Sequence, residues 1–216
     1  MAVTPSAAND PSALPEALRA LAARGVQRSY RKGTLIIEEG SHGDTLYLLL
    51  RGRVKAFSSD ARGRELTYGV YGAGDYFGEM SLDGGPRSAS VIVEQACTCA
   101  VLTRQSLRDH IAAEPEFAFE LIGRVILRAR LATQSARSMA LLDVYGRVVQ
   151  LLESLAVTQA DGSRLISERL THADIAARVG CSREMVSRLM KDLERGGYLR
   201  GEGDGLVIEV SLPARW

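Results

Sequence analysis

The sequence predicts an α+β protein with an N-terminal β-roll of the jelly-roll type, a long central helix and a C-terminal winged helix-turn-helix. Three observations support this prediction. Short β-rich runs separated by glycine fill the first half of the chain, Glu116 to Met139 forms a helical stretch broken only by Gly123, and two short helices flank a glycine turn near the C-terminus.

The β-rich region runs from Val26 to Leu102, and its runs are of strand length. They read TLIIEEG, LYLLLRG, RVKAFSS, ELTYGVYG, SASVIVE and CTCAVL. Such runs between glycine turns are typical of a double-sheet jelly roll or barrel. Cys97 and Cys99 share one face of the last run, so we interpret them as small core residues. No further ligands lie near them in the sequence, and the histidines are scattered, which predicts no metal site.

After a short helix predicted at about Arg104 to His110, Pro115 precedes the long helix. One face of the long helix carries apolar residues spaced alternately three and four apart: Ile122, Val125, Ala129, Ala132, Ala136 and Met139. This pattern predicts a coiled-coil seam, and its alanines permit close approach, so we expect a homodimer. The alternative is packing against the chain's own β domain, for which Leu121, Leu127 and Leu131 offer a second stripe.

The segment Leu170 to Glu194 predicts the helix-turn-helix. Thr171 and Asp174 have the spacing of a capping box, and Ala176 is small where the helices approach. Gly180 suits a turn that needs positive φ, and Ser182 can cap the second helix. The second helix has these apolar positions: Met185, Val186, Leu189, Met190 and Leu193.

The opposite face of the second helix presents Arg183, Glu184, Ser187 and Arg188, with Lys191 further along. Arginine can donate two hydrogen bonds to guanine and glutamate can accept one from cytosine. Glutamate repels phosphate, so its presence favours base reading over purely non-specific contact. We therefore predict that this helix enters the major groove of double-stranded DNA; the alternative is a helical hairpin with a solvated charged face.

The segment Phe77 to Val91, FGEMSLDGGPRSASV, predicts a ligand site. Backbone N–H groups in its glycine-rich turn, together with Arg87, can hold a phosphate. The Glu79 carboxylate can accept a hydrogen bond from a ribose hydroxyl. A phosphate, a hydroxyl and a pocket in a β-roll together indicate a cyclic nucleotide.

Residues 77–91 resemble the phosphate-binding cassette of cyclic-nucleotide-binding domains. Residues 170–194, the segments KGTLIIEEG and DTLYLLLRGRVK, and the LLDVYGRV hinge complete a resemblance to the cyclic-AMP receptor protein and fumarate–nitrate regulator family over nearly the whole chain. The resemblance implies cyclic AMP as the effector. The ligand set it implies is Gly78, Glu79, Met80, Arg87, Ser88, Ala89 and Thr133.

By the same resemblance, Arg87 would pair with the cyclic phosphate, assisted by Ser88 and the Gly78 backbone, and Glu79 would hold the ribose. Asp143 would cap the helix after the hinge. A TGTGA-like palindrome and RNA polymerase are the implied partners. The implied DNA-binding set is Thr171, Ser182, Arg183, Glu184, Ser187, Arg188 and Lys191.

The chain departs from the family pattern in the central helix, where family members offer a Thr-Ser pair to the adenine. At these positions it has Ala132 and Thr133, so that one hydroxyl remains, and Gln134 could replace the missing polar contact. An alternative is therefore a cassette that binds another ligand, such as cyclic di-GMP, or is vestigial, with DNA binding independent of cyclic AMP. No cysteine precedes Cys97 and His42 is a poor match for a haem ligand, so we expect neither an iron–sulfur cluster nor haem. No catalytic set predicts an enzyme.

The 216 residues carry 27 Lys and Arg against 26 Asp and Glu, a net charge of +1, so basic residues must be concentrated locally, as between Arg178 and Arg200. No apolar run approaches the ~20 residues of a membrane span, and the N-terminus does not resemble a signal peptide, so we expect a cytoplasmic protein. The predicted domain boundaries are a flexible N-terminal segment with a short helix (1–25), the β-roll (26–111), the dimerisation helix and hinge (112–142) and the winged helix-turn-helix (143–216).

Overall fold

A computed structural model describes residues 14–159 and 162–213, so most of the predicted flexible N-terminal segment lies outside the described residues. The helices are α1 (Glu16–Ala23), α2 (Arg104–Ala113), α3 (Glu116–Leu141), α4 (Val144–Leu155), α5 (His172–Val179) and α6 (Arg183–Arg195). The strands are β1 (Val26–Tyr30), β2 (Leu35–Ile37), β3 (Leu46–Ser59), β4 (Glu65–Tyr71), β5 (Tyr76–Phe77), β6 (Ser90–Leu102), β7 (Val157–Thr158), β8 (Arg164–Ile166), β9 (Leu199–Glu202) and β10 (Gly205–Ile208).

The described residues divide into two compact units. One lies within Thr4–Ser58 and Thr67–Arg130, and the other within Ser59–Leu66 and Leu131–Trp216. The division falls inside α3, whereas the sequence suggested boundaries at the two ends of that helix. We call them the roll unit and the DNA unit, and each is described by itself.

The roll unit is built on two long antiparallel strands, β3 and β6, in the order β1-β6-β3-β4, with β2 pairing β6 and β5 pairing β3. The sequence runs LYLLLRG and RVKAFSS are both part of β3, and SASVIVE and CTCAVL are both part of β6, so the prediction of separate strands was wrong there. Gly52, with φ of 88°, was read as a turn but lies in an irregular stretch of the β3–β6 pairing. A Cβ there would lie 2.5 Å from the Cβ of Cys97, which explains the glycine.

The sheet buries a different cluster on each face. The inner cluster of the roll contains Val54, Phe77, Val93, Cys97 and Cys99, so the prediction that both cysteines are core residues is confirmed. The outer face is covered by helices α1, α2 and the start of α3, which bury Leu21, Leu107 and Phe117 against the sheet. The roll therefore has a closed outer side, and the groups with ligand chemistry lie at its inner side.

In α3 only Phe117 is buried, so most of its apolar side chains are accessible in the single chain. The predicted seam from Ile122 to Met139 is exposed throughout. The second stripe was wrong: Leu121 does pack against the roll, but Leu127 and Leu131 are 48% and 53% exposed. Arg124 and Arg128 contact the roll instead.

In the DNA unit, α4, α5 and α6 pack around one core together with the sheet β7-β8-β10-β9. The predicted caps are confirmed: Asp143 accepts the Gly146 N–H at 2.7 Å, and Thr171 and Asp174 form a reciprocal capping box. Gly180 has φ of 70°, and Ser182 accepts the Met185 N–H. Of the apolar positions of α6, Met185 is 37% exposed, whereas Val186, Leu189, Met190 and Leu193 are buried.

Arg147 of α4 hydrogen-bonds to two separate backbone segments of the DNA unit. Its Nε donates to the Val179 carbonyl at 2.8 Å, and its Nη1 donates to the Leu142 carbonyl at 2.9 Å. The C-terminal end of α5 and the residue that follows α3 are therefore held by the same side chain. Across the described part of the chain, no helix has the length and apolar character to cross a membrane.

Candidate nucleotide and DNA sites

Arg87 is held in the roll unit by neutral oxygens. Its Nη1 donates to the carbonyls of Gly78, at 2.8 Å, and Thr45, at 3.1 Å, and its Nη2 donates to the Thr45 hydroxyl at 2.9 Å. Two glycines make room for it, because a Cβ would lie 2.7 Å from Nη1 at Gly78 and 2.9 Å from Nη2 at Gly43. The guanidinium is therefore fixed in one position and orientation.

The charge of Arg87 has no counterion within the part of the chain that the structure describes. The residue is only 6% exposed, and no described carboxylate lies within ion-pair distance. Burial lowers the pKa of the guanidinium, with Tyr47 and the more distant carboxylates of Asp44 and Glu79 acting in the opposite direction. A buried cation is costly unless an anion compensates it, so this position suits an anionic ligand.

The same guanidinium keeps one edge open for that ligand. A guanidinium has five N–H groups, and these three hydrogen bonds leave one N–H on Nε and one on Nη2. Nε and Nη2 lie along one edge, the edge that Gly43 faces without a side chain. Two parallel N–H groups on one edge match two oxygens of a phosphate.

Glu79 lies in the 3₁₀ turn Glu79–Ser81 that follows β5, and its carboxylate is buried. It forms an ion pair with Arg128 of α3, which also donates to the Tyr76 carbonyl. Burial opposes the charge of Arg128, but Tyr71 and Glu79 outweigh it and raise its pKa. The Glu79 carboxylate retains lone pairs that can accept a hydrogen bond from a ligand hydroxyl. A ligand bound there would therefore contact the carboxylate that pairs with Arg128 of α3.

The sequence did not identify Arg124 and Arg128. Arg124 pairs with Asp75 at 2.8 Å, and the two arginines are spaced four apart, so they leave one face of α3 together. Two cations at this spacing beside an apolar seam were the only local signal. Their partners lie 49 positions away in the sequence, which no helical pattern reveals.

The remaining predicted ligand residues differ in their surroundings. Met80 is exposed, and its sulfur accepts a hydrogen bond from the Ser88 hydroxyl at 3.3 Å. Ala89 packs beside the inner cluster. Thr133 belongs to the DNA unit, so the roll unit alone brings together every predicted ligand residue except that one.

The predicted DNA-reading face of α6 is solvent-exposed at Arg183, Glu184, Arg188 and Lys191, while Ser187 is half-buried. Thr171 and Ser182 use their hydroxyls in helix caps. Other basic residues nearby are neutralised: Arg178 pairs with Glu168, and Arg200 pairs with Glu202 and Glu209. The positive charge of this region is thus concentrated on the exposed face of α6.

The Glu184 carboxylate also interacts with groups of its own helix and of the N-cap residue. Its own backbone N–H and the Ser182 hydroxyl lower the pKa of its carboxyl group, followed by Arg183 and Arg188. The carboxylate is therefore ionised near neutral pH and lies at the N-terminus of α6, where negative charge stabilises the helix. Strands β9 and β10 form an antiparallel hairpin around Gly201, Gly203 and Gly205, which corresponds to the wing of the predicted winged helix-turn-helix.

Comparisons with known proteins agree with both units. Residues 27–114 match the cyclic nucleotide-binding domain, and residues 146–214 match the Crp-like helix-turn-helix domain. The CRP-like cAMP-activated global transcriptional regulator of Mycobacterium tuberculosis is 33% identical over 201 residues, covering 91% of this chain and 90% of the relative. The cAMP-activated global transcriptional regulator CRP of Haemophilus influenzae is 33% identical over 186 residues, covering 83% and 82%.

Among solved structures, the c-di-GMP responsive global regulator CLP of Xanthomonas campestris is similar, with a TM-score of 0.76 and 26% identity, covering 89% of this chain and 97% of that chain. A nucleotide-binding β-roll followed by a winged helix-turn-helix defines a class of transcription regulators, not of enzymes. The chain belongs to the cyclic-AMP receptor protein and fumarate–nitrate regulator family, as its sequence motifs predicted. Within the described residues no group of acidic, cysteine and histidine side chains is arranged to hold a metal ion.

Proposed function

We propose that this regulator is a homodimer controlled by a cyclic nucleotide, most plainly cyclic AMP, and that it binds a palindromic, TGTGA-like operator. The observation that carries the proposal is the buried Arg87 guanidinium, which has neutral partners only and an open Nε–Nη2 edge. A cyclic phosphate supplies both the missing negative charge and two in-plane acceptors. The mycobacterial and Haemophilus relatives, described as cAMP-activated regulators, support the same effector.

Glu79 completes the sugar contact in this proposal. Its buried carboxylate accepts the ribose 2′-hydroxyl while it stays paired with Arg128. Because Arg128 belongs to α3, a ligand that binds Glu79 acts on the helix as well as on the roll. Thr133, further along α3, would meet the adenine.

The exposed seam of α3 supports the dimer. Ile122, Val125 and Met139 leave large apolar surfaces in water, and the alanines between them allow a second helix to approach. Two copies would bring two α6 helices to the same duplex and multiply a modest affinity. Ligand then acts by its different affinity for two arrangements of the dimer, with the turn at Asp143 as the hinge and RNA polymerase as the downstream partner.

A second candidate effector is favoured by one comparison. The Xanthomonas regulator of similar fold is described as c-di-GMP responsive, and this chain has Ala132 and Thr133 where the family has Thr-Ser. A cyclic dinucleotide also carries phosphates that Arg87 could bind. In this alternative the roll serves another ligand, or none, and the protein binds DNA without cyclic AMP.

Calorimetric titration of the full chain with cyclic AMP, cyclic GMP and cyclic di-GMP tests the proposal. We expect saturable binding of cyclic AMP and a higher melting temperature with that ligand, since ligands stabilise the state they bind. A parallel operator-binding assay with and without each nucleotide separates the alternatives. Tight operator binding without any nucleotide, and no heat with cyclic AMP, would contradict the proposed effector.

A further inference from the structure

A tight turn, residues 72–75, joins β4 to β5, and its backbone is fixed by a neighbouring strand. The Asp75 N–H donates to the Gly72 carbonyl, and Oδ2 of Asp75 accepts the Gly72 N–H, both at 3.0 Å. The Gly74 N–H donates to the Leu49 carbonyl of β3, and the Asp75 carbonyl accepts the Leu49 N–H, both at 2.8 Å. The other carboxylate oxygen of Asp75, Oδ1, therefore lies where the sheet places it.

Arg124 of α3 contacts this oxygen. Its Nη1 lies 2.8 Å from Oδ1 of Asp75, and its guanidinium lies over the Tyr76 ring, 4.9 Å from the centroid. Glu120, one helical turn earlier, approaches Nη2 at 3.8 Å. Two carboxylates and an aromatic face, all of which attract a cation, thus hold the guanidinium. Arg124 links α3 to a fixed point of the sheet.

The next turn of α3 reaches the same segment of the roll. Arg128 follows Arg124 by four positions, and it pairs with Glu79. Glu79 likewise follows Asp75 by four positions. Arg128 also donates to the Tyr76 carbonyl, between these two carboxylates. Two successive turns of the helix therefore hold the two ends of one short segment, and the second end is the carboxylate of the nucleotide site.

Apolar packing fixes α3 at its start. Phe117, about two turns before Arg124, is the only buried residue of the helix. A shift of the helix by one residue would move its side chains about 1.5 Å along the axis and about 100° around it, which would carry Arg128 away from Glu79. Beyond its start the register of the helix depends on polar contacts, and the Arg124–Asp75 pair is the one that lies outside the nucleotide site.

We propose that Arg124 is a positioning residue for the ribose contact. Through its ion pair with Asp75 it holds α3 in the register in which Arg128 orients the Glu79 carboxylate for the 2′-hydroxyl of the bound cyclic nucleotide. This inference rests on the proposed function. Arg124 itself touches no ligand, and the contacts that fix Arg87 do not involve α3. Loss of Arg124 should therefore weaken the sugar contact and spare the phosphate contact.

The test compares the affinities of wild type and Arg124→Met for cyclic AMP and 2′-deoxy cyclic AMP by calorimetric titration. Wild type should prefer the ribose form about 10-fold or more, since the deoxy form lacks a hydrogen bond to a charged group. In Arg124→Met this preference should fall at least about 3-fold, while the affinity for 2′-deoxy cyclic AMP stays the same. Arg124→Lys, which can still pair with Asp75, should keep an intermediate preference. Arg130→Met, which removes an exposed arginine of the same helix, should keep all of it.

Asp75→Asn tests the same pair from its other side and keeps an oxygen for the Gly72 N–H. It should lower the preference for the ribose form as Arg124→Met does. The double variant should lower it no further, because both residues act through one contact. Melting curves establish that each variant is folded, and Asp75→Asn carries the test if Arg124→Met is not.

Three results would contradict these expectations. An unchanged preference for the ribose form in Arg124→Met and Asp75→Asn, even with a lower melting temperature, would overturn the proposal, since a merely structural pair affects stability and not this ratio. Equal losses for both nucleotides would overturn it as well, because the phosphate contact would then depend on α3. Wild-type protein that binds neither nucleotide, or does not distinguish them, would contradict the proposed function itself.

Discussion

At the scale of single residues, Arg87 combines burial, fixed orientation and an unneutralised charge. Gly43 and Gly78 have no side chain where the guanidinium lies, and the Thr45 and Gly78 oxygens fix its plane. Such a group is preorganised, because the binding of an anion requires no rearrangement of the cation. Binding should therefore depend strongly on this one side chain.

Arg87→Leu should abolish measurable cyclic-nucleotide binding, because the loss of a charged partner from a desolvated phosphate typically costs at least ~2 kcal/mol. Arg87→Lys keeps the charge but lacks the two-pronged edge, so it should bind more weakly than wild type and better than Arg87→Leu. Titration with cyclic AMP measures all three. Arg108→Leu, which removes an exposed arginine of α2, should bind like wild type; equal binding by Arg87→Leu would refute the phosphate contact.

Residues with local roles were the ones that the sequence could predict. The helix caps at Asp143, Thr171 and Ser182 depend on partners three positions away, and this spacing can be read directly from the sequence. The Glu79–Arg128 pair depends on how β5 and α3 meet in space, and neither residue type nor spacing reveals it.

At the scale of elements, α3 shows what helical periodicity can and cannot tell. The period identified a helix and its apolar faces, but not which face is covered, and the roll is met by arginines rather than by Leu127 and Leu131. The strands show a related limit: glycine marks both turns and strand irregularities, so β3 and β6 were divided. The exposed seam therefore needs an experimental test of its own.

Ala132→Glu should weaken the dimer, because it would place two like charges close together at a two-fold axis with little water around them. Sedimentation velocity at micromolar concentration should show a shift from dimer to monomer. Gln134→Glu adds the same charge about 200° around the helix and should remain dimeric. An intact Ala132→Glu dimer would show that the seam is not the interface.

At the scale of the whole molecule, two reading helices related by a two-fold axis require a palindrome with half-sites about 34 Å apart, the spacing general to helix-turn-helix dimers. Selection of random duplexes by the nucleotide-bound protein should return such a motif. Glu184→Ala should lose discrimination at one base pair, worth ~1–3 kcal/mol, because glutamate accepts a hydrogen bond from cytosine.

The contacts of Glu184 within α6 give this experiment a definite alternative. If the carboxylate serves only the helix N-terminus, Glu184→Ala lowers the melting temperature and leaves the selected motif unchanged at every position. Lys191→Ala is the control for phosphate contact and should weaken all sequences alike.

Arg147 has a consequence for chimeric regulators. The recognition motif alone, Leu170 to Glu194, would lose the donor that satisfies the Val179 carbonyl and the α4 side chains that complete its core. A carbonyl without a donor and an uncovered apolar face both destabilise a transplanted fragment. The smallest DNA-binding fragment that can be transferred to another protein consequently begins at Asp143, the N-cap residue of α4.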